Sequence, residues 1–244
     1  MQDAPLYLRI ADELEAEIVS GALATGSKIK SERALSEKLG VSRMTARQAL
    51  QHLLAKGLVE TRTGQGTFVG TPRIEQRLET LSGFSDEMAR QGRRVSSVVI
   101  ASDTRHPDEP SARALSIAVT RKVHRLARVR FADGVPVALE TTDICASRAP
   151  GLLEIADFGK ASLYRILTSH FSIVPTTAAQ TLTAGLADHA TARTLQTDIG
   201  SPVLKLTRLT RDQNGDAFEF VRSTYRGDYF VMKVDLSLGA SISA

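Results

Sequence analysis

Cysteine is almost absent from this sequence. One residue, Cys145, among 244 excludes an internal disulfide and any metal cluster held by thiolates. It falls in an apolar, strand-like segment, which suits a small buried hydrophobe better than a reactive thiol. Also missing is any apolar run near the roughly 18 residues that cross a bilayer. The opening stretch MQDAPLYLRIADELEAE carries acids where a secretory signal has a basic and then an apolar segment, so a cytoplasmic location is expected. The five histidines, His52, His106, His124, His170 and His189, show no metal-ligand spacing, and no nucleophile–base motif accompanies them. The expectation is therefore a protein without metal or cofactor that is not an enzyme. No internal repeat and no low-complexity segment is evident. Charge of one sign is hardly in excess either, since the net charge of +4 is only a weak pull towards an anionic partner. What remains is an ordinary globular composition, 42% hydrophobic and 24% charged, long enough for one large domain or two modest ones.

What is present is concentrated in residues 31–57, SERALSEKLGVSRMTARQALQHLLAKG. Ser31 can cap a first helix, with Glu32 favourable in its opening turn. Ala34, Leu35, Lys38 and Leu39 recur at three-and-four spacing, and Gly40 supplies a stop. Ser42 then caps a second helix whose inner face is Ala46, Ala49, Leu50, Leu53 and Leu54. Arg43, Thr45 and Arg47 point away from that face near the helix start, where a helix–turn–helix reaches base edges in the major groove. Ser42, at the head of that helix, is counted with the DNA-facing residues.

The flanks agree. Pro5 opens a helix on which Leu6, Ile10, Leu14 and Ile18 recur every four residues, and GALATGSKIK follows as a loop. After Gly57, residues 58–63 are strand-like, Gly64-Gln65-Gly66 turns, and residues 67–69 return. A basic hairpin after a recognition helix is a wing, bringing Arg62, Gln65 and the N–H groups of the glycine turn near the minor groove or phosphates. Nine Lys and Arg meet eight Asp and Glu in residues 1–72, but Arg43, Arg47, Lys56 and Arg62 face Glu60 alone between 42 and 62. Binding to nucleic acid depends on that local excess.

The stretch from PLYLRIADELEAEIVSGAL to the wing resembles the winged helix–turn–helix of the GntR family of bacterial transcription regulators. The resemblance implies base or phosphate contacts from Arg33, Arg43, Thr45 and Arg47, and from the wing at Gly64, Gln65, Gly66 and Thr67. Lys30 stands where the family usually has a proline and would add a phosphate contact.

Residues 71–82 read as a linker, broken at Thr71-Pro72, between a DNA-binding domain at 1–70 and a second domain at 83–244. In the latter, helices are expected at 83–91, 109–115, 162–169 and 188–195. Strands are expected at 95–101, at 176–184, in two hairpins turning at Asp133-Gly134 and Asn214-Gly215, and in a last strand YFVMKVDL. The fold class is thus α+β, a winged helix–turn–helix followed by a mostly antiparallel sheet with helices. Alternation puts Arg128 and Arg130 on one face, Glu140 and Thr142 on one face, and Glu219, Ser223 and Tyr225 on one face. Two arginines, Ser162 at a helix start and Tyr164 nearby would make an anion pocket, with Glu140 and Glu219 suited to hydroxyl or amino groups. The same Arg-x-Arg pattern also describes a plain solvated face, and spacing does not decide between them.

LSGFSDEM, RLARVRFADGVPVALET, SLYRIL and GDAFEFVRSTYRGD are similar to the UTRA effector-binding domain of the HutC subfamily, whose fold is shared with chorismate lyase. In members that sense amino-sugar phosphates, the resemblance assigns Arg128, Arg130, Ser162, Tyr164, Phe84 and Ser85 to the phosphate. It assigns Glu140, Glu219 and Tyr225 to the sugar. N-acetylglucosamine 6-phosphate is the effector so implied; urocanate or another small acid is the alternative within the subfamily. The expected protein is a homodimeric repressor on a palindromic DNA operator, with half-sites about one helical turn apart. An enzyme on the chorismate lyase-like fold, using the paired carboxylates for acid–base chemistry, is the competing class.

Overall fold

Helix α1 (Leu6–Val19), helix α2 (Glu32–Leu39) and helix α3 (Arg43–Ala55) build the core of the first of two units, Met1–Arg73 and Ile74–Ala244, in a computed structural model. The structure describes residues 5–62, 64–70 and 73–236. The strand end expected at Thr63, the break at Thr71-Pro72, the start of the chain and residues 237–244 of the second domain lie outside them.

In the first unit Ile10, Ala11, Leu14 and Ile18 of α1 pack against Leu35 of α2 and Ala46, Ala49, Leu50 and Leu53 of α3. Leu6 (48% exposed) and Leu54 (45% exposed), both read as inner-face residues, lie outside this core. The caps form as the sequence suggests. Ser31 Oγ accepts the Ala34 N–H at 3.3 Å, Ser42 Oγ accepts the Thr45 N–H at 3.0 Å, and Gly40 ends α2 in the left-handed region. Strand β1 (Val59–Arg62) pairs antiparallel with strand β2 (Gly66–Val69) to make the wing. The segment read as a loop supplies a third edge. Ile29 N–H donates to Thr67 O and Val69 N–H to Ser27 O, each at 2.8 Å, so β2 is bonded on both sides.

The second unit is a six-stranded antiparallel sheet of strands β4 (Val95–Arg105), β5 (Val123–Ala132), β6 (Val135–Cys145), β7 (Pro175–Leu186), β8 (Pro202–Asp212) and β9 (Ala217–Arg226). Their spatial order is β4-β5-β6-β9-β8-β7. Helices α6 (Leu152–Ile155) and α7 (Leu163–Phe171) cover one face through Leu152, Leu163 and Leu167, packed on Leu126, Ile144 and Phe218. Helix α5 (Glu109–Leu115) buries Leu115 against Val123 and Cys145 on the other face, and helix α8 (His189–Leu195) buries Ala192 against Val203. Helix α4 (Phe84–Arg90) joins the first of these faces.

Three readings of the sequence change here. The supposed linker contains strand β3 (Ile74–Arg77), which pairs in parallel with strand β10 (Phe230–Lys233), apart from the main sheet. Ile74 is fully buried, so this stretch is held by tertiary packing that its short polar pattern does not reveal. The last strand, β10, is correspondingly short. An internal repeat is also present: β4–α5–β5–β6 and β7–α8–β8–β9 follow the same order, and the sheet is mirrored about β6 and β9. Asp108 and Asp188 cap the two helices, and Leu115 and Leu195, Val123 and Val203, Leu126 and Leu206 take matching places eighty residues apart.

Candidate DNA-binding face and effector cavity

The outer surface of α3 presents Arg43, Met44, Arg47 and Gln48, all exposed. Met44, at 61% exposure, and Gln48 were not picked out from the sequence, although Met44 stands three residues before Arg47 and four before Gln48, spacings that share a helix face. Thr45 sits differently. It is half-buried, and its hydroxyl lies 2.8 Å from Ser42 Oγ, so both side chains are engaged at the helix cap. Arg47 lies 4.0 Å from Glu32, and Arg33 pairs with Glu37 at 2.9 Å; both pairs are exposed, so either arginine can exchange its partner for a phosphate. On the wing, Arg62 bonds Glu60 and stacks over the Phe68 ring at 4.4 Å, with Lys28 5.9 Å from the same ring. Gly64 (φ 71°) and Gly66 (φ 110°) hold the tip around Gln65 in conformations that a side chain disfavours, and Thr67 follows on β2. Lys30 is exposed.

In the second unit Phe84, Ser85, Arg128, Arg130, Glu140, Ser162, Tyr164, Glu219 and Tyr225 all line one cavity of about 50 Å³. Its floor is the sheet face where cross-strand partners place Arg128 opposite Glu140 and Glu140 opposite Ser223. Phe84 and Ser85 from α4, and Ser162 and Tyr164 at the start of α7, close over it. Ser162 is the N-cap of α7 but makes no side-chain cap bond. Arg208, Ser223, Thr142, Gln76 and Glu87 also line it. Of these, Arg208 was not singled out from the sequence at all; its signal was the alternation Leu206, Arg208, Thr210 on β8, one strand beyond Ser223.

The charges are buried, and that governs their chemistry. Arg128 and Arg130 are each 3% exposed. Arg128 bonds Glu140 at 2.5 Å, while Arg130 donates to Ser85 Oγ at 3.2 Å and lies 4.4 Å over the Phe84 ring. Arg128 Nε and Nη1, Arg130 Nε and Ser223 Oγ are buried with no hydrogen-bond partner among the described residues. Buried guanidinium N–H groups without acceptors are costly, and a ligand acceptor, charged or neutral, would satisfy them. Burial draws Arg130 down to about 10, with Arg128 acting the same way and Glu140 opposing. Burial pushes the Glu140 carboxyl upward, but Arg128 and Arg130 together overcome it and hold it below its ordinary value. Glu219 has no such arginine pair. Burial lifts it, against bonds from Thr210 Oγ1 and Tyr164 Oη, each at 2.7 Å. Tyr164 is thus joined to Glu219, so the residues assigned separately to phosphate and sugar share a bond. Burial, with Glu219 nearby, raises the Tyr164 phenol as well. The cavity lining holds three arginines, Arg128, Arg130 and Arg208, and three glutamates, Glu87, Glu140 and Glu219. Among the described residues, no group of three His, Cys, Asp or Glu could hold a metal ion, and no helix is long and apolar enough to cross a membrane.

Residues 6–69 match the family of bacterial regulatory proteins named gntR, and residues 90–231 match the UTRA domain. The chain is 36% identical over 226 residues to the HTH-type transcriptional repressor NagR of Bacillus subtilis, covering 93% of this chain and 92% of that one. It is 32% identical over 208 residues to the histidine utilization repressor of Pseudomonas aeruginosa, covering 85% of this chain and 82% of that one. The crystal structure of PhnF from Mycobacterium smegmatis superposes with a TM-score of 0.79 at 34% identity, over 94% of this chain and 99% of that chain.

Proposed function

Because the chain belongs to the GntR family of bacterial regulators and carries a UTRA domain, we propose that it is a homodimeric repressor released from a palindromic operator by a phosphorylated amino sugar, with N-acetylglucosamine 6-phosphate as the effector. It is a DNA-binding, effector-binding transcriptional repressor and not an enzyme. Arg33, Arg43, Arg47 and the wing from Arg62 to Thr67 would contact DNA, with Ser42 and Thr45 fixing the start of the reading helix.

The observation that carries the effector assignment is the pair of buried arginines with three unpartnered nitrogens, Arg128 Nε and Nη1 and Arg130 Nε. A phosphate beside Ser85, Arg128, Arg130 and Ser162 would satisfy them. The sugar would then lie over Glu140, Ser223 and Tyr225, reaching towards Glu219. The cavity, about 50 Å³, is well below the roughly 300 Å³ of an ordinary ligand site. Entry therefore requires α4 or the segment leading into it to move outward. That segment begins with β3, which continues the chain from the first unit, and its displacement would lower operator affinity. Such coupling demands that effector bind the two arrangements unequally.

The test is DNA release measured by fluorescence anisotropy on a duplex selected from a random library by the full chain. N-acetylglucosamine 6-phosphate is expected to release the duplex, and unphosphorylated N-acetylglucosamine to leave it bound. Retention of the duplex in the presence of every sugar phosphate tried refutes the assignment. A second reading, a small carboxylate such as urocanate, is supported by the bond that Glu140 already makes to Arg128, since a ligand carboxylate would occupy the same donors. Release by urocanate alone would favour it.

A further inference from the structure

Arg208 stands at the opposite end of the cavity floor from Arg128. Successive rows across the sheet run Arg128, Glu140, Ser223, Leu206 and then Leu126, Thr142, Val221, Arg208. Three strand spacings, or about 14 Å of backbone, separate the two arginines' strands. Arg208 is the counterpart of Arg128 in the second copy of the internal repeat, so the approximate two-fold symmetry places the two arginines' strands on either side of a shared floor. Hydroxyl-binding groups lie between them: the Glu140 carboxylate and the unpartnered Ser223 Oγ.

The two ends differ in what they hold. Arg128 is paired with a carboxylate, whereas Arg208, among the described residues, has none within ion-pair distance. Arg208 Nε donates to Gln180 Oε1 at 2.8 Å, and Nη1 reaches the Ser82 carbonyl at 3.4 Å. The nearest carboxyl on this side, Glu219, already accepts from Thr210 and Tyr164. A half-buried guanidinium offers only donors, so it attracts a neutral or anionic acceptor and repels an ammonium group.

We infer that Arg208 reads a hydrogen-bond acceptor, a carbonyl or carboxylate, at the end of the effector remote from its phosphate. This rests on the sugar-phosphate reading above and adds its selectivity. In an amino-sugar phosphate the remote group is the C2 substituent. An N-acetyl group presents a carbonyl there, whereas a free amine presents a positive charge. Arg208 therefore separates acylated from unacylated amino-sugar phosphates.

Calorimetric titration of the full chain with N-acetylglucosamine 6-phosphate and with glucosamine 6-phosphate tests this. The wild type is expected to bind the acetylated compound at least about tenfold more tightly, the scale of one hydrogen bond to a charged group. Arg208→Met should lose about tenfold for the acetylated compound while staying within about threefold for the amine, and Arg208→Lys should keep part of the preference. Equal wild-type affinity for the two compounds overturns the inference and leaves the sugar-phosphate reading standing. Binding of neither overturns both. An equal loss for both compounds in Arg208→Met marks a merely structural role and also overturns the inference. If Arg208→Met does not fold, Arg208→Gln is held to the same outcomes, and the wild-type comparison decides in any case.

Discussion

Arg128 and Glu140 form an ion pair that water hardly reaches, and the pair cannot be halved cheaply. Glu140→Gln leaves a buried guanidinium without its counter-charge and should cost about 3–5 kcal/mol in urea unfolding. Inorganic phosphate or the effector should restore part of that loss by supplying the missing negative charge. On the DNA side, Arg47 holds only an exposed contact with Glu32, so removing it releases nothing buried. Arg47→Ala is expected to weaken binding to a selected duplex by about 1–3 kcal/mol with little change in thermal stability, as anisotropy and melting curves would report. At this scale the sequence was informative where alternation acts within one hairpin. Arg128 and Arg130 share a face by spacing alone, and Glu140 faces Arg128 through a single Asp-Gly turn. Arg208 was hidden because its membership of the same face depends on the order in which two hairpins lie side by side. The cap contact of Thr45 was not foreseen, because a polar residue at the third helical position serves a cap as readily as it serves a base.

Helix α5 is tied to the sheet by charges as well as by Leu115. Asp108 caps it through the Ser111 N–H at 3.0 Å and accepts from Arg125 and Arg222, which also hold the fully buried Asp143. Burial pushes the Asp108 carboxyl up, but Ser111 and Arg222 prevail and leave it far below the usual carboxylate range. A carboxyl whose folded value is depressed adds stability above its unfolded value, near 4, and loses it as pH falls towards the folded value. The urea midpoint should therefore hold steady from neutral pH to about 4 and fall below that, and Asp108→Asn should flatten that fall. Most helices and strands were legible beforehand, since their caps, turns and periods are local signals. The pairing of β3 with β10 was not. It joins segments more than 150 residues apart, and of the two only the last was read as a strand, since Ile74–Arg77 carries no alternation long enough to mark one.

For the chain as a whole, dimerisation is expected to show in sedimentation as twice the mass of the 244-residue polypeptide, at concentrations where DNA binding is also seen. Saturation with effector at about a hundred times its dissociation constant should stabilise the second unit by about 2.7 kcal/mol. Tyrosine fluorescence can follow this, as the chain has no tryptophan and three of its four tyrosines, Tyr164, Tyr225 and Tyr229, lie there. The duplicated architecture escaped the sequence reading because the copies share pattern more than identity. Apolar positions and caps coincide at a constant offset, while most residues between them differ. The β3–β10 seam has its own consequence for genetics. A stop codon just after Gly227 would spare all six strands beneath the cavity yet remove the strand that β3 joins. A reporter strain carrying that truncation should stay silent with or without the sugar. A selection for non-inducible alleles would then gather lesions at the far end of the gene, remote in sequence from every residue that touches DNA.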